Sequence, residues 1–204
     1  QYAVYTTSVI TKSLTYNIAE VTSITKALTY RLKIFQTCTT DIATDKDAFW
    51  GTVYQTTGNP DGNQLNVGGW GDYYYTYIEF DLTNAPPANL VEKVELYLYS
   101  NTSTKNNPNA YVQRITQAWF ESTVSKTNNP TVTSTDQVLM AHPYTSVGWK
   151  VTDITNIALG WLDNSYTNYG VKLTPTANNM TNGNFASSDY NAGERAPYLK
   201  ITYK

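Results

Sequence analysis

Five tyrosines and two tryptophans carry the most usable chemistry in this chain. Tyr73, Tyr75 and Tyr77 recur at every second position, Tyr97 and Tyr99 repeat the spacing, and Trp50 and Trp70 each stand beside a glycine. Flat rings pack on the apolar faces of sugars or on protein partners, and phenol hydroxyls add hydrogen bonds at the rim. These seven rings are the candidate contact set for a glycan or a protein. Rings so placed also serve as a cover over a sheet or as packing beneath a loop. A second set is rich in oxygen: Asp45 and Asp47, then Asn59, Asp61 and Asn63 around Gly62. Alternating carboxylate and amide oxygens suit a hard cation, so a structural calcium is the cofactor expectation. The closing Glu of an EF-hand loop is missing, and Pro60-Asp61-Gly62 also makes an ordinary turn.

Chemistry beyond contact is thinly supplied. His142 is the only histidine and sits beside Pro143 in an expected loop; Cys38 is the only cysteine, which excludes an intramolecular disulfide. Asp81, Glu121 and Asp189 are the carboxylates on which a glycosidase would draw, and spacing along the chain does not report how far apart they stand in space. No catalytic residue is expected. Charged residues make up 15% of the chain and the net charge is -2, so there is no basic field to attract nucleic acid. No stretch approaches the roughly 20 apolar residues of a membrane-spanning helix.

The elements that hold these residues follow from periodicity. Phe49 to Tyr54 reads as a strand, and residues 57–63 are dense in turn formers. Leu65 and Val67 start a further strand, which the following glycines end. In the next one Tyr74, Ile78, Phe80 and Leu82 share one face, leaving Tyr73, Tyr75, Tyr77 and Glu79 on the other. Val94, Leu96 and Leu98 then alternate with Glu95, Tyr97 and Tyr99, giving a second half-buried strand. One helix is expected after Asp153, because Ile154, Ile157, Ala158 and Trp161 fall on one stripe. Val171 to Leu173 follows, then a polar loop over residues 178–184 and a closing strand from Tyr198 to Tyr203. Many short strands, abundant turn residues and one helix point to an all-β sandwich or jelly roll.

From Tyr77 onward the chain runs through ordered phrases: Tyr77-Ile-Glu-Phe-Asp-Leu82, Lys93-Val-Glu-Leu-Tyr-Leu-Tyr99, Gln117-Ala-Trp-Phe-Glu-Ser122, Gly148-Trp-Lys-Val-Thr-Asp-Ile-Thr155, Asn168-Tyr-Gly-Val-Lys-Leu173, Phe185-Ala-Ser-Ser-Asp189 and Ala196-Pro-Tyr-Leu-Lys-Ile-Thr-Tyr203. In that order they resemble the DNRLRE domain family, which overlaps carbohydrate-binding module family 96. The resemblance implies an extracellular jelly-roll-like β-sandwich without catalytic machinery. It also implies a core of Phe80, Leu82, Leu96, Trp119, Trp161, Leu173, Phe185 and Leu199, and Trp149 reads as core with them. Family members serve as accessory modules of polysaccharide-degrading enzymes or as parts of large surface proteins, and some bind acidic polysaccharides such as alginate. Here Glu79 stands where the family carries a basic residue, Lys126 stands where it carries an aromatic one, and its eponymous string is missing.

Residues 1–40 form an arm ahead of a module over residues 41–204. Ile10-Thr-Lys-Ser-Leu-Thr-Tyr16 returns as Ile24-Thr-Lys-Ala-Leu-Thr-Tyr30, an offset of 14 residues. Leu14, Tyr16 and Ile18, and then Leu28, Tyr30, Leu32 and Ile34, alternate with polar residues as strands with one buried face do. An amphipathic strand needs a surface to cover it, and adding it to a neighbour's sheet edge builds a filament. These seven apolar residues are the expected subunit contacts. The main functional expectation is a non-enzymatic structural or adhesive subunit of a cell-surface filament or virion fibre. The alternative is a glycan-binding accessory module.

Overall fold

The computed structural model describes residues 37–53, 56–58, 62–104, 108–141, 143 and 145–204. All belong to the second of two units into which the chain divides, Phe35–Lys204. The expected arm contacts Leu14, Tyr16, Ile18, Leu28, Tyr30, Leu32 and Ile34 lie outside the described residues, as do Asn59, Asp61 and His142. The side chains of Trp70 and of residues 179–182 also lie outside the description.

The strands are β1 (Cys38–Gly51), β2 (Gln64–Trp70), β3 (Tyr74–Phe80), β4 (Val91–Ser100), β5 (Ala110–Ile115), β6 (Val132–Met140), β7 (Gly148–Asp153), β8 (Val171–Pro175), β9 (Asn179–Ala186) and β10 (Tyr198–Tyr203). Every pairing between them is antiparallel. In the first sheet β4 is central, with β7 on one side and β10 followed by β1 on the other, while β9 and β2 continue past its far end. The second sheet runs β1, β3, β8, β5, β6. Strand β1 serves both sheets: Cys38–Ala43 pair with β10, and from Thr44 onward the strand pairs with β3, with a bulge between Thr44 and Lys46. Such bulges bend a strand and let it change sheets. The fold is the expected all-β sandwich with one short helix.

Alternation explains which residues fill the space between the sheets. Val94, Leu96 and Leu98 of β4 and Leu199 and Ile201 of β10 point inward with Ile78 and Phe80 of β3, Val112 of β5 and Val171 and Leu173 of β8. Each fully buried side chain of this kind contributes about 1.5–3 kcal/mol. Helix α1 (Thr155–Leu162) closes one end by burying Ile157, Ala158 and Trp161. Asp153 starts it, accepting hydrogen bonds from the backbone N–H of Thr155 at 2.9 Å and from its hydroxyl at 2.6 Å. Gly170 lets β8 approach β3: its φ is +79°, and a Cβ there would meet the Ile78 carbonyl oxygen at 2.0 Å.

Several boundaries differ from the sequence expectation: β2, expected to end at the glycines after Val67, runs through Gly68 and Gly69 to Trp70. The strand expected over Phe49 to Tyr54 ends at Gly51 and begins as early as Cys38. The polar segment over residues 178–184, expected as a loop, falls within or beside β9, which pairs with β2 from Gln64↔Ala186 to Trp70↔Asn179. Four Asn and one Gly among these seven residues give it little β propensity, and the ladder with β2 overrides that preference.

Candidate aromatic binding face

The outer face of the first sheet gathers four aromatic rings from three strands. Because Leu96 pairs with both Leu199 and Thr152 on the inner side, the next residues in each strand, Tyr97, Tyr198 and Val151, share a row on the outer side. Tyr99 pairs with Trp149 one step further along. Tyr97 and Tyr198 stack with centroids 4.7 Å apart and 17° between planes. Trp149 meets Tyr99 at 5.3 Å and 88°, Tyr198 at 5.2 Å and 78°, and Tyr97 at 6.2 Å and 66°. Its indole is nonetheless 42% exposed. The guanidinium of Arg195 lies 4.4 Å over the Tyr99 ring and closes the cluster on the side of the loop before β10.

Trp149 was expected in the core and lies outside it. Strand β7 explains this: polar Thr152 faces inward opposite Leu96, while Trp149 and Val151 face out, 42% and 48% exposed. The strand inverts the usual rule of apolar side inward. Its parity, read against the buried Ile154 that follows, was the signal available in the sequence. Two clefts flank the indole. One, of about 320 Å³, lies among Trp149, Tyr198, Asp41, Glu194 and Pro197. The other, of about 460 Å³, runs between β7 and β6 and is lined by Trp149, Val151, Leu139 and Pro143. Burial, followed by the nearby Asp41 carboxylate, pushes the Tyr198 phenol above its usual range.

The rings on the second sheet are placed differently. Trp50 and Tyr77, expected as contact residues, are 3% and 0% exposed. Residues 116–131 fold back over this sheet, and Trp119 and Val124 pack with Ala48, Trp50, Tyr77 and Ile115 in a second core beneath them. Their polar atoms are also engaged: the Trp50 indole N–H donates to the Tyr77 hydroxyl at 2.9 Å, which donates to Asn129 Oδ1 at 2.6 Å. Neither side chain lies at the surface. Tyr73 and Tyr75 stay half-buried beside them, stacked at 6.1 Å and 11°. Lys172, only 6% exposed, sets its ammonium 4.2 Å over the Tyr75 ring and 3.3 Å from Asn129 Oδ1. Burial lowers its pKa to about 8.

A group of carboxylates gathers where β1 passes the loops around residues 121 and 188. Asp47 accepts the Ser188 backbone N–H at 2.7 Å, and its own N–H donates to Glu121 Oε1 at 2.6 Å. Burial raises the Asp47 pKa to about 7 against the Ser188 bond, with Glu121 and Asp189 adding repulsion. Asp45 sits in the bulge of β1 and is exposed, while Asn63 lies beside β2. Among the described residues no three His, Cys, Asp or Glu side chains are arranged to hold a metal ion. Asp81 caps a turn, accepting from the N–H of Thr83 at 2.9 Å.

A family model, carbohydrate-binding module family 96, matches residues 38–203. The chain belongs to this family. No curated protein matches it. In this family 96 module the residues that depart from the expected phrases have structural partners. Glu79 pairs with Lys46 at 2.9 Å, and the Lys46 ammonium lies 4.9 Å over Trp119, so a cation on β1 occupies the place beside Glu79. Lys126 donates to the Thr52 carbonyl at 2.9 Å and fastens the covering loop to the turn after β1. Of the expected contact residues, Tyr97 and Tyr99, themselves half-buried, brace the exposed Trp149, and Tyr73 and Tyr75 form a separate half-buried pair. Trp149, Tyr198 and Arg195 complete the cluster and are not among the expected contacts.

Proposed function

We propose that this chain is a non-catalytic, extracellular glycan-binding module whose contact surface is the outer face of the first sheet, centred on Trp149. The observation that carries the reading is the indole itself, exposed on an edge strand, braced against three tyrosines and flanked by two clefts. A large ring left open to water forfeits burial worth about 25 cal/mol per Å², and contiguous exposed apolar surface of this kind marks an interaction site. Family membership supplies the class of partner. Family membership also supports a surface or secreted setting. Support for a non-catalytic role comes from Asp47, Glu121 and Asp81, whose oxygens hold backbone N–H groups of loops and turns.

The structural-subunit reading, with residues 1–40 as an arm before a module over 41–204, rests on the paired repeat. It takes second place because the described module offers an aromatic glycan-type surface and its family is one of binding modules. A structural calcium held by Asp45, Asp47 and Asn63 with Asn59 and Asp61 is likewise a proposal. A glycan array probed with the full chain and with Trp149→Ala tests the main reading. Retention of at least one glycan class by the native chain and its loss in the variant are expected; failure to retain any glycan sinks it.

A further inference from the structure

The smaller cleft beside Trp149 is lined by two carboxylates and by no cation, whereas Lys150 lines the larger one. Asp153, Glu95, Lys200 and Asp41 form one row across β7, β4, β10 and β1, directly beside the row that holds Tyr97 and Tyr198. Asp41 and Glu194 both line the smaller cleft next to Trp149 and Tyr198, and both are exposed. The ion pairs among the described residues join Lys46 to Glu79, Lys93 to Glu95 and Lys204 to Glu92, so neither cleft carboxylate is neutralised by one. Glu194 accepts one long bond, from Asn191 Nδ2 at 3.4 Å. Arg195 lies over the Tyr99 and Tyr190 rings, 4.4 and 5.5 Å from their centroids, and lines neither cleft. Lys172 belongs to the opposite sheet and is buried.

Ionised carboxylates are acceptors only. Sugar hydroxyls are donors, and bonds from them to a charged acceptor are stronger than neutral ones. A carboxylate or sulfate on the ligand would bring like charge into the same cleft and lose affinity. We propose that the cleft beside Trp149 binds an uncharged saccharide, with a sugar ring against the indole and its hydroxyls donating to Asp41 and Glu194. The same two carboxylates turn away uronates and sulfated sugars. This rests on the glycan-binding reading and gives it a substrate class.

The test is calorimetric titration of the full chain with two panels: neutral hexasaccharides of glucose, mannose, xylose and galactose, and anionic ones comprising oligogalacturonates and sulfated galactans. The variants are Trp149→Ala, Asp41→Asn with Glu194→Gln, and Asp41→Ala with Glu194→Ala, each checked for an unchanged thermal midpoint. At least one neutral saccharide should bind, with anionic ones at least tenfold weaker. Trp149→Ala should weaken it thirtyfold or more, and the double alanine variant about tenfold. The double amide variant should narrow the gap between neutral and anionic ligands. Tighter binding of an anionic saccharide that still depends on Trp149 would overturn the inference and leave the glycan-binding reading intact. Unchanged affinity in the double alanine variant would overturn the role of the carboxylates. Binding of neither panel would overturn the glycan-binding reading itself.

Discussion

Asp47 and Lys172 are charges that folding holds in places unsuited to charge, and each leaves a signature in the dependence of stability on pH. Burial disfavours the Asp47 anion and lifts its pKa in the folded chain to about 7, from an ordinary value of 3.8. Between those values the unfolded chain has released the proton and the native one has kept it, so stability falls as pH rises from about 4 to 7. The span corresponds to at most about 4 kcal/mol. Asp47→Asn, whose amide oxygen can still accept the Ser188 N–H, should flatten that slope in denaturant titrations repeated across this window; an unchanged slope would show that Asp47 is not its source. Lys172 has the opposite sign. Its pKa falls to about 8 from 10.5 through burial, so stability should rise between those values as the unfolded chain alone retains the proton. Lys172→Met keeps the stem packed over Tyr75 and should remove the rise, which spans at most about 3 kcal/mol. A rise that persists in this variant would assign it to another group. In the sequence Asp47 belongs to a short oxygen-rich set and Lys172 to one of the ordered phrases, but burial depends on which loop covers them, and chain spacing carries no record of that.

At the scale of elements, strands with simple alternation were legible and the others were not. In β3 and β4 one apolar face reads directly from Ile78 and Phe80 and from Val94, Leu96 and Leu98, all buried. The stripe of α1 was equally plain, with Ile157, Ala158 and Trp161 buried. Strand β7 misleads because its inner residue opposite Leu96 is Thr152 and its outer ones are Val151 and Trp149. Strand β9 reads as a loop because its order comes from the ladder with β2. The outer face of β3 was read correctly as a face, but the fold-back of residues 116–131 turns half of it into a second core around Tyr77. Gly170 is the tightest contact of this layer. Gly170→Ala combines a positive φ with a Cβ 2.0 Å from the Ile78 carbonyl oxygen, and should cost about 3 kcal/mol by thermal or denaturant unfolding. A loss below about 0.5 kcal/mol, the range of ordinary surface substitutions, would mean that β3 and β8 yield more readily than their packing implies.

For the molecule as a whole, the ordered phrases are legible because a β-sandwich core imposes them, and they lead to the family whose model spans residues 38–203. The binding face was half legible. Tyr97 and Tyr99 stand out by alternation, whereas Tyr198 and Trp149 join them only through pairing between strands distant in sequence. Glycan binding is proposed for the module and not for the arm. A chain beginning at residue 37 should therefore bind glycan with an affinity within about twofold of the full chain, a difference of less than about 0.5 kcal/mol; a tenfold loss would assign part of the site to residues 1–36. The central claim, that the Trp149 face is the contact surface, meets its most direct test in one calorimetric comparison using a glycan retained by the full chain. Trp149→Ala should weaken binding at least thirtyfold, about 2 kcal/mol, while Tyr75→Ala on the opposite sheet should leave it within twofold. The reverse pattern, with Tyr75→Ala abolishing binding and Trp149→Ala leaving it intact, would contradict the account.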